Sequence, residues 1–394
     1  MDTKQFVFKD ISTFKYGKLP KKEKIVSYSC NPIYTGYQIT GYYDEPMYEE
    51  PKLIVVARGV GGTGDVKISP PNAYITNLSI VCDVNTDFAD INYLKYYFAK
   101  NNLRYLNSGA SIAQITIDDL QNVILDLPEL DIQNKIVQVL SNYDDLIDNN
   151  NKRIKILEEM AQKIYTEWFV DFKFPNHETT TFKQTELGEI PSDWNCRKLK
   201  DICSVIFSGG TPTTTTEEYW NGDLNWLSSG ETNNKYIINT QKTITELGVK
   251  KSSTRLAKTK DVVIASAGQG KTRGQVAYCF IDTFINQSII SMRSIDNIDY
   301  SNFIFFNLLS RYDELRLLSD SSSSRGSLTV KIMEDVNIIL PSNAIIYKFN
   351  EMLAPILGLI KKIQIKQQTL KQTRDLLLPR LISGEIDVEN MEVL

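Results

Sequence analysis

Ile154-Lys-Ile-Leu-Glu-Glu-Met-Ala-Gln-Lys-Ile-Tyr-Thr-Glu-Trp168 sets Ile154, Leu157, Ala161, Ile164 and Trp168 at steps of three and four residues. This stretch belongs to a longer apolar-periodic run from Ile132 to Phe169, and the run is echoed from Ile345 to Leu381. In the echo Ile345, Phe349, Met352, Ile356, Leu359 and Ile363 keep the same rhythm. Such spacing lays one apolar seam along a helix, the pattern of a helix that lies against another long helix. Helical throughout, the first run would reach roughly 57 Å at about 1.5 Å per residue, well beyond an average helix of about three turns. It reads as a spacer. The polar run Asp148-Asn-Asn-Asn151 marks a hydrophilic layer or a local break. Pro355 and Gly358 predict a kink or a late helical start in the second copy.

The helices belong to a larger repeat. Ile115-Thr-Ile-Asp-Asp-Leu-Gln-Asn-Val-Ile-Leu-Asp-Leu-Pro128 aligns without a gap on Leu328-Thr-Val-Lys-Ile-Met-Glu-Asp-Val-Asn-Ile-Ile-Leu-Pro341, an offset of 213 residues. Upstream, Ile54-Val-Val-Ala57 answers Val262-Val-Ile-Ala265, Asn77-Leu-Ser-Ile80 answers Asn286-Gln-Ser-Ile289, and Lys9-Asp-Ile11 answers Lys200-Asp-Ile202. A globular unit followed by a long helix is written twice, and such a repeat determines the fold. Residues 1–128 form a first strand-rich unit and 129–185 the first long helix with a polar linker. Residues 186–341 form a second unit and 342–394 the second long helix and tail. Leu53-Ile-Val-Val-Ala57 and Tyr74-Ile-Thr-Asn-Leu-Ser-Ile-Val81 read as buried strands and Ile91 to Leu106 as a helix. The Ser319-to-Ser324 run reads as a mobile loop before a strand at Leu328.

The 394 residues carry a net charge of −4, and no segment departs from neutrality by more than three charges. A basic domain is the usual footprint of a nucleic-acid binder, so any DNA contact must come from a locally basic face or be shared with more basic partners. Five dispersed cysteines without a C-x-x-C pair argue against a disulfide framework and a structural zinc site. His177, the single histidine, lies in a polar linker, leaving little for zinc or triad chemistry. The chain has no stretch of 18 apolar residues and no leader pattern, which predicts a cytoplasmic protein without membrane contact.

Three short matches point to enzymes and fail on context. Ala265-Ser-Ala-Gly-Gln-Gly-Lys-Thr272 has alanine where a phosphate-binding loop needs its first glycine, and it leads into a strand rather than a helix. Gly59-Val-Gly-Gly-Thr-Gly64 spells a dinucleotide fingerprint but also leads into a strand. Asn31-Pro-Ile-Tyr34 resembles the corner of adenine methyltransferases, without their glycine-rich cofactor loop. Both glycine stretches follow the buried strand of their unit, so one flexible polar loop is presented twice as a contact surface.

The chain resembles the specificity subunit of type I restriction–modification enzymes. Leu187-Gly-Glu-Ile-Pro-Ser-Asp-Trp194, Ser208-Gly-Gly-Thr-Pro212, Glu167-Trp-Phe-Val-Asp-Phe172 and Leu376-Leu-Leu-Pro-Arg-Leu-Ile-Ser-Gly-Glu-Ile386 carry the resemblance, in the family's order along the whole chain. The first unit lacks the Gly-Glu-Ile-Pro-Ser-Asp-Trp lead-in, a neighbour that Ser383-Gly-Glu-Ile-Asp387 could supply in a cyclic arrangement. The resemblance implies an α+β fold: two mixed α/β recognition domains alternate with two helices that pack antiparallel as a coiled-coil spacer, with pseudo-two-fold symmetry. It further implies a non-catalytic subunit that reads a split, asymmetric double-stranded DNA target, with the helices as ruler. Two methyltransferase subunits and a restriction–translocation subunit would be its partners, and would bind the S-adenosylmethionine, ATP and magnesium. A stand-alone adenine methyltransferase and a coiled-coil scaffold without a DNA role are the alternatives.

For DNA contact the candidates are Arg58 and Lys67 in the first unit, with Ser208, Thr211, Gln269, Lys271, Arg273 and Arg325 in the second. Arginine and lysine suit guanine edges and phosphates, glutamine suits adenine, and small hydroxyls fit near the backbone. For the helix seam and partner docking they are Leu140, Leu157, Ile164, Trp168, Leu353, Ile363, Leu370 and Leu377.

Overall fold

The two apolar-periodic runs are single helices, Leu130–Phe169 and Asn343–Ile382, of 40 residues each. Their starts and ends both stand 213 residues apart, the offset read from the sequence. The structure, a computed structural model, describes residues 1–59, 62–107, 114–268, 270–320 and 326–389. The second helix begins at Asn343 and runs on through Pro355, so the late start expected there is overturned. A proline inside a helix forfeits one backbone hydrogen bond; burial of Phe349, Leu353 and Leu357 around it offsets that loss. Asp148 to Asn151 does not break the first helix either. Asn150 is buried there, and Asn151 accepts a hydrogen bond from Gln367.

Two compact units divide the chain: Met1–Asp148 with Gln368–Leu394, and Asn149–Gln367. Each takes part of both long helices. Early residues of one helix meet late residues of the other in each unit, the order antiparallel helices require. In the first unit Ile136 and Leu140 share a core with Leu381 and Ile382. In the second, Ala161, Tyr165 and Trp168 share one with Ile346, Phe349 and Leu353.

The first unit holds an antiparallel sheet of Ser12–Tyr16, Ser79–Val84, Leu53–Val56 and Val66–Ile68, in that order. A second sheet joins Ile25–Val26, Ile39–Tyr43, Pro32–Tyr34 and Tyr74–Ile75, the last pair parallel. The stretch 74–81 is therefore two strands rather than one: a turn in which Ser79 N–H donates to the Thr76 carbonyl at 3.1 Å sends them to different sheets. β-Branched Ile54, Val55 and Val56 are wholly enclosed, as a central strand requires. The helix Ile91–Lys100 packs its Tyr93, Leu94 and Phe98 into the same core.

The second unit repeats the plan. Its main sheet runs Cys203–Ser208, Ile289–Ser294, Val262–Ala265, Val276–Cys279, Tyr236–Ile237, and its smaller one Lys242–Ile244, Trp220–Leu227, Thr283–Ile285, Arg255–Ala257. The repeat extends to single hydrogen bonds. Ile115 N–H donates to the Ala57 carbonyl at 3.0 Å and Leu328 N–H to that of Ser266 at 2.8 Å. Thr116 and Thr329 then cap short helices with their side chains. Leu328 thus introduces a helix, Val330–Glu334, and the expected strand comes later, at Asn337–Leu340. Both upstream strand matches are one residue out. Ala57 answers Ser266 rather than Ala265, so Val55 answers Ile264, and Ile80, which faces Val55, answers Ile290, which faces Ile264. No helix among the described residues is long and apolar enough to cross a membrane.

Along the seam, Leu140, Trp168, Leu353 and Ile363 are buried, whereas Leu157, Ile164, Leu370 and Leu377 are half-buried. The periodicity of the second helix slipped at two positions: Met352 and Leu359 are exposed, and Ile346, Leu353, Leu357 and Ile360 fill the core. With the buried Phe349 common to both, the two sets step by three and four, so spacing alone does not choose between them. In the first unit a polar hub joins the seam. Asp144 accepts from Tyr96 OH at 2.7 Å, Lys95 Nζ at 3.0 Å and Arg374 Nη1 at 2.7 Å. Burial pushes its carboxyl up, but the hydrogen bonds from Tyr96, Arg374 and Lys95 outweigh this and hold it below its ordinary 3.8.

Leu353→Asp places a charge at a fully enclosed site and should cost about 3 kcal/mol or more in urea unfolding. Leu359→Asp, at a position 38% exposed, should cost far less. Because the Asp144 carboxyl is depressed, its stabilisation is complete above pH 3.8 and is lost as pH falls through its folded value. Asp144→Asn should therefore lower stability near pH 7, and its difference from the parent chain should shrink in acid.

Candidate nucleic-acid interface

Strand register gathers the candidate loops at one edge of each main sheet. In the second unit Ser208 faces Ile290, Ile290 faces Ile264, and Ile264 faces Val276. The loops following Ser208, following Ala265 and preceding Ile289 therefore leave from the same edge. Ser208, Thr211, Lys271 and Arg273 are brought together there, and the Thr211 hydroxyl donates to the Gln287 side chain. Gln269 and Arg325 lie outside the described residues.

The described residues of the 266–275 loop are braced rather than loose. Tyr312 OH donates to the Lys271 carbonyl at 2.8 Å and Arg316 Nη1 to that of Gly270 at 2.6 Å. The Arg273 guanidinium binds Asp320 at 2.6 Å and donates to the Gly326 carbonyl, leaving its side chain 13% exposed. Both terminal nitrogens of Arg273 are thus bound to the scaffold, while Lys271 is exposed and makes no ion pair among the described residues. The loop leads into the strand Val276–Cys279, so no helix N-terminus is present for a phosphate.

In the first unit Tyr16 faces Ile80, Ile80 faces Val55, and Val55 faces Val66, which defines the equivalent edge. Arg58 sits on it, half-buried, with its backbone bridged to Gln114. Lys67 lies on the strand Val66–Ile68 rather than in the loop, its Nζ 5.7 Å from the Tyr37 ring centroid. Tyr37 OH stands 2.8 Å from the Gly62 carbonyl and 2.9 Å from Asp65, which also pairs with Arg104 at 3.0 Å. Burial and then the Asp65 carboxylate push the Tyr37 phenol up to about 12, so it stays a donor at neutral pH.

Sequence reasoning missed a third loop of this edge. Tyr16-Gly-Lys-Leu-Pro20 occupies the place of Ser208-Gly-Gly-Thr-Pro212: Lys18 N–H donates to the Ile75 carbonyl at 2.9 Å, and Gly210 N–H to that of Ile285 at 3.0 Å. A Cβ on Gly17 would overlap the Thr76 carbonyl, and one on Gly209 the Ile285 carbonyl, so both loops need glycine for the same close approach. The signal was present. Lys9 and Lys200 are 191 residues apart and Gly17 and Gly209 are 192 apart, the extra residue being a bulge between Cys203 and Val205.

The enzyme-like corner is structural. Asn31 donates its amide to the Tyr43 carbonyl at 3.3 Å and the Asp44 carbonyl at 3.1 Å, leaving no donor for a base. No group of three or more His, Cys, Asp or Glu able to hold a metal ion occurs among the described residues. Gly209→Ala should lower stability by about 1–3 kcal/mol through overpacking. Gly230→Ala, with open space around its Cβ position, should not; urea midpoints of the two variants test this.

Comparison with known proteins gives a consistent assignment. The family model described as type I restriction modification DNA specificity domain matches residues 2–159 and 191–372. The chain is 27% identical to the type I restriction enzyme MjaIX specificity subunit of Methanocaldococcus jannaschii, over 86% of this chain and 79% of that protein. It is 25% identical to the HindI specificity subunit of Haemophilus influenzae, over 71% of this chain and 72% of that one. The fold matches the type I restriction–modification S subunit from M. genitalium with a TM-score of 0.67, covering 96% of both chains at 17% identity.

Proposed function

The chain belongs to the type I restriction modification DNA specificity family, and from that premise we propose that it reads a split, asymmetric double-stranded DNA target, one half-site per unit. The observation that carries this reading is one sheet edge built twice with different side chains on it. Tyr16-Gly-Lys-Leu-Pro20 lies on it in one unit and Ser208-Gly-Gly-Thr-Pro212 in the other. The same scaffold with different loop chemistry is what two different half-sites require. Arg58 and Lys67, with Ser208, Thr211, Gln269, Lys271 and Arg325, remain the proposed contacts. Arg273 acts by shaping its loop, given its ion pair with Asp320. The chain itself is non-catalytic in this reading. Two methyltransferase subunits dock on the long helices and a restriction–translocation subunit joins them, and these partners bind S-adenosylmethionine, ATP and magnesium. The glycine loops, which lead into strands, support that division of labour.

The long helices serve as the ruler between half-sites. The chain passes from one unit to the other between Asp148 and Asn149 in one helix and between Gln367 and Gln368 in the other. Four residues inserted at both joins leave each unit's internal packing intact and add about one turn, roughly 6 Å. At about 3.4 Å per base pair, the half-sites should stay the same while the gap grows by about one or two base pairs. Two residues at both joins turn the downstream parts by about 200° and should abolish recognition. Methylation-site sequencing after co-expression with the methyltransferase subunits reads both outcomes, and an unchanged gap with the four-residue insertions overturns the ruler.

A further inference from the structure

We infer that Lys18, Lys21 and Lys22 form the principal phosphate-contacting site of the first unit, an inference that rests on the DNA-reading assignment above. Between Lys15 and Lys24 the chain carries five lysines and one glutamate, although 1–128 as a whole is close to neutral. Lys24 is compensated by Glu45 at 2.5 Å and Asp44 at 3.5 Å. Lys15, Lys18, Lys21 and Lys22 are exposed and have no carboxylate partner among the described residues. Of the unit's other lysines, Lys52 pairs with Asp83 at 2.7 Å and Lys95 with Asp144 at 3.0 Å. Lys9 and Lys100, without an ion pair among the described residues, are not clustered with other lysines in the sequence. Like charges held together without internal compensation repel one another, and an external polyanion removes that cost.

The backbone beneath these lysines is fixed. Gly17 N–H donates to the Ser79 carbonyl at 3.0 Å, Lys18 N–H to that of Ile75 at 2.9 Å, and Tyr74 OH to that of Leu19 at 3.4 Å. Lysine is a point charge on a flexible stem, suited to phosphates rather than to a bidentate base edge. The ligand class is therefore the sugar–phosphate backbone. The corresponding loop of the second unit continues through Thr213-Thr-Thr-Thr216 into Glu217 and Glu218, with no cation. The two units share a scaffold but divide the electrostatic work unequally, and the salt dependence of binding belongs mainly to the first.

The test uses the full chain with its methyltransferase partners and a random-sequence 30-base-pair duplex, with fluorescence anisotropy across a salt series. Each phosphate contact contributes about 0.9 to the slope of log affinity against log salt. The triple variant Lys18→Gln, Lys21→Gln, Lys22→Gln should therefore flatten the slope by roughly 2–3. Arginine at the same three positions should restore it. A control triple of equal charge change, Lys9→Gln, Lys250→Gln, Lys331→Gln, should leave the slope as in the parent. If the loop variant keeps the parental slope, or the control flattens it equally, the loop assignment is overturned and the DNA-reading assignment stands. If the parent complex retains no duplex at any salt concentration, the DNA-reading assignment itself falls, and the loop assignment with it.

Discussion

Phe349 lies edge-on to Phe169 at 4.8 Å between ring centroids, with Trp168 at 6.0 Å, Phe306 at 6.3 Å and Tyr165 at 6.4 Å around it. This cluster joins the end of one long helix to the start of the other and to the buried helix Ser301–Leu309. Burying large aromatic rings against one another supplies both area and edge-to-face attraction. The second unit could not close its core if either long helix were absent. The first unit meets the same requirement differently, with Ile136, Leu140, Leu381 and Ile382 buried together and the Asp144 hub at the rim. The helices are thus parts of both cores, and each is continuous through both units because neither unit can spare its portion.

The tail shows the same dependence. Gly384 packs against Met1, Val388 is buried in the first core, and Lys135 Nζ reaches the Glu389 carbonyl at 2.5 Å. Ser383-Gly-Glu-Ile-Asp387 therefore neighbours the start of the chain, as expected for a first unit that lacks its own lead-in. In the second unit Trp194, wholly buried among Phe169, Phe172 and Phe174, does the corresponding work.

The sequence showed most clearly what repeats. The offset of 213 carried both long helices, both capping threonines and both closing strands, because elements without insertions keep their spacing. It failed where spacing is degenerate or a single residue is added. Met352 and Leu353 belong to rows that both step by three and four, and only the packed partner decides which is inside. The bulge at Cys203 to Val205 hid the kinship of Gly17 and Gly209, and with it the lysine loop. Arg273 could be named as a loop cation from sequence, but its bond to Asp320 depends on a residue 47 positions away. Function in this chain lies in side chains on a repeated edge, and those are the positions a repeat does not constrain.

The polar run that interrupts the seam has a physical role of its own. Gln367 is buried and donates to Asn151, whereas the buried Asn150 Nδ2 and Gln364 Oε1 have no hydrogen-bond partner among the described residues. The Gln367–Asn151 pair is therefore the contact that can set the register. Four leucines there would bury more apolar area and stabilise the contact further. They would also let either helix slide by a turn against the other, because apolar seams of repeating period match in several registers. Polar side chains that find each other only in one alignment raise the cost of every other alignment, since a buried amide without a partner costs about 1–3 kcal/mol. A slip of one turn would shift by roughly 5 Å the helix segments that complete each core. The amides therefore trade some stability for a single register, and two cores that share both helices have more need of register than of strength.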